Sequence, residues 1–139
     1  MKMFLVLTVL FIFTSGIVFA SNINSYDNYG SKTGSYRTNG NTTTSYDRYG
    51  SKTGSYRTHG DTTTSYDRYG SKTGSYRTHG DTTTHYDRYG SKIGSYRTDS
   101  NGVTTSYDKY GQKTGSFKTD SSGRTVHYDR YGRKIGSYK

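Results

Sequence analysis

Residues 46–65 read YDRYGSKTGSYRTHGDTTTS, and from residue 66 the same sentence begins again almost letter for letter. Aligned on Tyr-Asp, units start at Tyr26, Tyr46, Tyr66, Tyr86, Tyr107 and Tyr128, with lengths of 20, 20, 20, 21 and 21 and a final half unit of 12 that ends at Lys139. A fixed period of this size marks a repeat architecture. Each unit carries two turn signals, of which one is Gly50-Ser51-Lys52-Thr53-Gly54 and the other is Asn39-Gly40, His59-Gly60-Asp61 or Asn101-Gly102. Thr, Ser and Tyr fill the runs between them, which is strand composition between hairpin turns. No 3.6-residue apolar stripe competes with that reading.

The expectation is therefore an all-β chain of tandem 20–21-residue β-hairpin repeats, in an open meander or solenoid-like arrangement. Each unit supplies two short strands, such as TTTSYDRY (62–69) and GSYRT (74–78). Strand alternation would put Tyr66 and Arg68 on one face and Asp67 and Tyr69 on the other. The scarcity of aliphatic residues leaves a partly disordered low-complexity chain as the alternative.

All seventeen tyrosines fall in three slots per unit: the first and fourth of YDRYG, and the one in GSYR. The third slot runs Tyr36, Tyr56, Tyr76, Tyr96, Phe117, Tyr138, and its one Phe keeps the ring and drops the hydroxyl. Ring area thus matters more there than hydrogen bonding, and the third-slot rings are expected to be packed. Length, by contrast, varies only in a turn, where HGD becomes DSNGV after Thr98 and DSSGR after Thr119.

The first twenty residues, MKMFLVLTVLFIFTSGIVFA, contain Lys2, an apolar run and small residues with Val18 and Ala20 at the −3 and −1 places of a cleavage site. This is the pattern of a secretory signal peptide. The domain reading is a signal peptide at 1–20, a short N-terminal segment at 21–25 and the repeat region at 26–139. The protein is expected to be secreted or extracellular, in the periplasm or at the cell surface if bacterial. Beyond Ala20 only Ile23, Ile93, Val103, Val126 and Ile135 are aliphatic, so tyrosine is the one large apolar group in quantity. The chain has no cysteine, which removes disulfides as a source of stability.

Nineteen basic residues and ten aspartates remain beyond residue 20, a surplus of nine positive charges. Such a balance points to polyanionic partners. The candidate polyanion-binding residues are Arg48, Lys52, Arg57, Arg68, Lys72, Arg77, Arg88, Lys92 and Arg97, at the third, seventh and twelfth positions of successive units. Units stacked in register would turn them into parallel rows. Cations interleaved with tyrosine also suit single-stranded nucleic acid, but export argues against a cellular nucleic acid and for acidic polysaccharide or a cell-surface polyanion. Self-association is the other partner expected.

His59-Gly60-Asp61 and His79-Gly80-Asp81 could hold a divalent ion weakly, but the first unit has Asn39-Gly40-Asn41 there. Polar turns are the simpler reading, and no metal or cofactor is assigned. Residues repeated in near-identical units are structural rather than parts of one preorganised catalytic pocket, so the chain is read as non-enzymatic. The Tyr-Asp carboxylates are expected to lie near the Arg or Lys of the next position or of the adjacent unit.

The stretches HGDTTTSYDRYG (59–70) and SSGRTVHYDRYGRKIGSYK (121–139) resemble the YD repeats of bacterial Rhs proteins and animal teneurins, in which Tyr-Asp-x-x-Gly is followed by a second Gly ten residues on. Tyr46, Asp47, Gly50 and Gly60 match that spacing, as do Tyr66, Asp67, Gly70 and Gly80. The resemblance implies secreted or surface-exposed β-hairpin repeats. A looser, compositional resemblance links YDKYG (107–111) to tyrosine-, glycine- and lysine-rich secreted matrix proteins of invertebrates, and implies structural or adhesive roles.

Overall fold

The turn chemistry of the repeat sets the strand boundaries, and these are visible in a computed structural model that describes residues 22–139. The expected signal peptide, 1–20, lies outside the described residues. The strands are β1 (Asn22–Asp27), β2 (Lys32–Asn39), β3 (Thr42–Asp47), β4 (Lys52–His59), β5 (Thr62–Asp67), β6 (Lys72–His79), β7 (Thr82–Asp87), β8 (Lys92–Thr98), β9 (Val103–Asp108), β10 (Lys113–Thr119), β11 (Thr125–Asp129) and β12 (Lys134–Tyr138). Consecutive strands pair antiparallel throughout. No helix among the described residues is long and apolar enough to cross a membrane.

The expected open meander or solenoid is corrected at the ends of the chain. Strand β1 pairs with β12 (Ser25 opposite Tyr138, Tyr26 opposite Ser137), so the twelve strands form a closed barrel. Asn24 and Lys139 exchange backbone hydrogen bonds of 2.8 and 3.0 Å across the same seam. Closure removes the two edge strands that an open sheet would leave with unpaired backbone groups. Residues 22–25 are part of β1. They complete the β1–β2 hairpin, as the terminal half unit completes β11–β12, so the chain is six hairpins and the structural unit is the hairpin 42–59 rather than the Tyr-Asp frame.

The expected strand 62–69 is also corrected, because Asp67 ends it. Its Oδ1 accepts hydrogen bonds from the backbone N–H groups of Tyr69 (2.9 Å) and Ser71 (2.9 Å), and Gly70 donates to the Asp67 carbonyl (3.2 Å). Gly70 takes φ +89°, a conformation that side chains rarely adopt. Asp at the first and Gly at the fourth turn position are the matching residues for such a turn. Arg68 and Tyr69 therefore leave the sheet, and the expected sharing of faces with Tyr66 and Asp67 does not arise. At the opposite end the first three turns are two residues long, such as Gly60-Asp61. The longer turns reuse the Asp67 device: Asp99 Oδ1 accepts from Asn101 and Val103 N–H, both at 2.9 Å.

Alternation along each strand sends one set of side chains inward. Along β4, Gly54 and Tyr56 are buried while Arg57 is exposed. The third-slot rings meet inside the barrel: Tyr56 and Tyr76 pack together, Phe117 and Tyr138 pack together, and Tyr96 touches both pairs. Desolvation pushes the Tyr56, Tyr76, Tyr96 and Tyr138 phenols well above the usual tyrosine range, so the interior holds neutral rings. Below the rings, inward threonines satisfy one another across the strands, in Thr38–Thr43, Thr58–Thr63, Thr78–Thr83, Thr98–Thr104 and Thr119–Thr125 at 2.7–3.0 Å. Above the rings, serine and threonine pair within a unit, as in Thr53–Ser45 (2.9 Å) and Thr114–Ser106 (2.9 Å).

Glycine beside each ring is a steric requirement. A Cβ on Gly54 would stand 2.6 Å from the Tyr66 carbonyl oxygen of the neighbouring strand, and backbone cannot yield as a side-chain tip does. Gly54→Ala is expected to lower stability by about 1 to 3 kcal/mol, the range for overpacking a closed interior. Urea unfolding followed by circular dichroism measures it, and an unchanged midpoint would contradict the packing described.

Candidate functional site

Six turns of one kind, those that join β1 to β2, β3 to β4 and so on to β11 and β12, lie together at one end of the barrel. The other end carries five turns and both ends of the described chain. At the six-turn rim the second tyrosine of each unit projects into solvent: Tyr29, Tyr49, Tyr69, Tyr89, Tyr110 and Tyr131 are 76–89% exposed. The turn explains the exposure. The carboxylate of each Asp is turned back onto its own backbone, which leaves the residue two places on at the tip with nothing to pack under.

Five of the six tips hold a cation close to the ring face. The guanidinium carbons of Arg48, Arg68 and Arg88 lie 5.5, 4.8 and 5.5 Å from the centroids of Tyr49, Tyr69 and Tyr89, the Lys109 ammonium lies 4.9 Å from Tyr110, and Arg133 lies 5.4 Å from Tyr131. Asn28 takes the place of the cation in the first turn. Exposed pairs of this kind contribute about 0.5 to 1 kcal/mol each, enough to orient a side chain and too little to hold a fold. Lys32, Lys52, Lys72, Lys92, Lys113 and Lys134 open the strands that leave the rim. With Arg48, Arg68, Arg88, Lys109, Arg130 and Arg133 they bring twelve cations to the rim, against six aspartates.

Those aspartates are engaged with the turns rather than with the cations, which corrects the expected contacts to Arg or Lys. Among the six Tyr-Asp aspartates only Asp129 makes an ion pair, with Arg133 at 2.7 Å. The backbone N–H of Arg133 is the main influence that holds the Asp129 carboxyl below its ordinary value. The rim thus presents rings and cations outward while its carboxylates face inward to the turn backbone.

The nine candidate polyanion residues divide between two places. Arg48, Arg68, Arg88, Lys52, Lys72 and Lys92 stand at the six-turn rim, in or directly after its turns. Arg57, Arg77 and Arg97 face outward on the wall nearer the opposite end, where Arg57 lies between Thr42 and Thr64 in the register. Arg97 is further committed to Asp81 at 3.0 Å, an exposed contact. On the outer wall the first-slot tyrosines lie half-buried, and the Arg37 guanidinium reaches 5.9 Å from the Tyr46 centroid. The third-slot rings Tyr36, Tyr56, Tyr76, Tyr96, Phe117 and Tyr138 point into the barrel and take no part in the rim. His59 and His79 stand beside Gly60-Asp61 and Gly80-Asp81 at the five-turn end. Among the described residues no three His or Asp side chains gather as metal ligands.

Two features escaped the sequence reading. One is the exposure of the second tyrosine slot, for which the signal was the Asp-x-Tyr-Gly turn itself. The other is a paired exchange. In four units the inward serine hydrogen-bonds to a threonine eight residues on (Ser25–Thr33, Ser45–Thr53, Ser65–Thr73, Ser106–Thr114). In the remaining two the pair is His85 with Ile93 and His127 with Ile135. Each imidazole stacks on the ring of the preceding strand, His85 on Tyr76 and His127 on Phe117, both at 4.1 Å. A threonine there would lose its serine partner, and isoleucine asks for none. No protein-family model and no curated protein matches the chain.

Proposed function

We propose that the protein is a secreted, non-enzymatic adhesion module whose six-turn rim binds acidic polymers, with acidic polysaccharide as the main class. The observation that carries this reading is the repetition, at one end of a closed barrel, of an exposed tyrosine beside a cation. A single such tip binds weakly, but tips held on one rigid scaffold engage successive groups of a polymer without a separate loss of freedom for each. Rings stack on flat faces and cations meet the acidic groups. Secretion rests on the expected signal peptide, and kinship with YD repeats, read from Tyr46, Asp47, Gly50 and Gly60, accords with an extracellular role.

Binding of heparin or a bacterial acidic glycan should fall steeply with salt. If four cations are engaged and the polymer is as densely charged as nucleic acid, affinity drops by about a hundredfold or more between roughly 50 and 300 mM salt. The triple substitutions Y49A/Y69A/Y89A and R48A/R68A/R88A should each weaken binding about tenfold or more while changing stability by about 0.5 kcal/mol per site or less, as exposed positions do. Affinity indifferent to salt and to both triple substitutions would refute the rim as the binding surface.

A further inference from the structure

Four departures from the repeat converge on one cavity. Its volume is about 280 Å³, and His85, Ile93, Phe117 and His127 line it together with Ser106 and Thr114. The first four are the unusual members of their slots; the last two form the ordinary serine–threonine pair of the unit between the two histidine units.

The geometry explains the space. His85 turns toward β6, where its Nε2 lies 3.6 Å from the point that a Cβ on Gly74 would occupy, and His127 turns toward β10, with Nε2 3.4 Å from the corresponding point at Gly115. Gly94 lies between them. The three atoms nearest its Cβ point within 4 Å are all backbone, from Tyr107 and Asp108, so neither His85 nor Ser106 covers it. The Tyr96 ring borders the same space and is only partly buried. Ile93, 43% exposed, stands at its margin near the six-turn rim.

We propose that this cavity is a binding site for a small, uncharged, flat aromatic molecule that carries one N–H or O–H donor. The walls that argue for a flat ring are Tyr96, Phe117 and two imidazoles, with an aliphatic face from Ile93. The acceptor for the donor is the Ser106 hydroxyl, which takes a hydrogen bond from Thr114 and keeps a second lone pair. Burial keeps both imidazoles unprotonated near neutral pH, with values down at about 4, so the site offers no cation to an anionic ligand, and the one carboxylate of its lining, Asp108, accepts from the turn N–H groups of Tyr110 and Gln112. The volume lies near the lower end of small-molecule pockets, which suits a molecule of one or two rings.

The repeat itself supplies the plug that tests this assignment. Ser106 pairs across the strands with Tyr96, as His85 does with Tyr76 and His127 with Phe117. The double substitution S106H/T114I would give the fifth unit the same pair that its neighbours carry, stack an imidazole on Tyr96 and cover Gly94. The whole chain is titrated with indole and with 1-methylindole, which lacks the donor, and amide and side-chain shifts are followed by NMR. Indole should saturate with a Kd of about 1 mM, as expected for a ligand of its size. Shifts should centre on Ile93, Gly94, Ser106, Phe117 and His127. 1-Methylindole should bind at least about fivefold more weakly, and S106H/T114I should weaken indole by about tenfold or more, in keeping with a lost hydrogen bond and a filled site. Shifts confined to the rim tyrosines, equal binding of the two indoles, no saturation by about 10 mM, or unaltered affinity in S106H/T114I would each overturn the proposal. Should the double substitution fail to fold, the shift map and the comparison of the two indoles on the unaltered chain decide.

Discussion

Tyr76→Ala is expected to lower the stability of the barrel by about 3 to 5 kcal/mol, the range for removing a buried aromatic side chain. Small domains have about 5 to 15 kcal/mol in all, so this one change will leave much of the protein unfolded. The size follows from composition. No leucine is present among the described residues to share the interior, and the third-slot rings are its main apolar contents. Truncating Tyr76 removes the partner of Tyr56 and Tyr96 and the face on which His85 stacks. Tyr56→Phe should act in the opposite direction. The Tyr56 residue is 1% exposed, and its hydroxyl has no hydrogen-bond partner among the described residues. A buried unpaired polar group costs about 1 to 3 kcal/mol, so removing it while keeping the ring should stabilise by about 1 kcal/mol. Thermal and urea unfolding of the two variants against the parent measure both signs. A destabilising Tyr56→Phe would mean that the hydroxyl has a role in the interior that the present packing does not assign.

Acidification should weaken the fold between about pH 6.5 and about pH 4, before the carboxylates titrate. His127 is buried in the barrel and His85 half-buried, and loss of hydration pushes both imidazoles down to about 4; the carboxylates of Asp87 and Asp129 pull the other way and do not prevail. The unfolded chain binds protons at these residues from about pH 6.5, whereas the folded one resists until about pH 4. Their contribution is therefore complete above pH 6.5 and is lost as the pH falls through that window. Allowing for partial screening at the barrel mouth, each accounts for about 2 kcal/mol. Asp81, Asp120 and Asp129 have carboxyls held below their ordinary value, first of all by hydrogen bonds from the Thr82 hydroxyl, the Ser122 hydroxyl and the Arg133 backbone respectively. Their contributions are lost only at lower pH, beneath the usual aspartate value of about 3.9. Urea midpoints at pH 7.5 and pH 4.5 should differ strongly in the parent. The difference should shrink in H85S/I93T/H127S/I135T, which restores the serine–threonine pairs of the other units. An equal loss in that variant would assign the acid sensitivity elsewhere.

The hairpins were legible from residues 46–65 because their turn chemistry is local: Asp47 with Gly50, and Gly60 with Asp61, specify turns whatever surrounds them. The packing of the third slot was legible too, through Phe117. Closure was not. Whether a twelve-strand meander ends in two edges or in a seam depends on how twist and stagger accumulate over the whole sheet, and no residue of β1 or β12 encodes that alone. The rim was half legible. Its cations stand out in the sequence, but the repeat alone does not say which turns share an end, so Arg48 and Arg57 are equivalent there; in the barrel they lie toward opposite ends. The cavity was hidden for a similar reason, since His85, Ile93, Phe117 and His127 come from three different hairpins and meet only when the barrel curves.

The seam between β1 and β12 is where the account is most directly open to measurement. On the whole chain, hydrogen exchange and cross-strand nuclear Overhauser effects at Asn24, Tyr26, Ser137 and Lys139 report that pairing alone. The closed barrel predicts contacts between Asn24 and Lys139 and between Tyr26 and Ser137, with the Asn24 and Lys139 amides protected to the same order as those of β5 and β6 in the middle of the chain. Rapid exchange at both amides with no contact across the seam, while β5 and β6 stay protected, would show an open sheet and contradict the closed barrel on which the rim and the cavity depend.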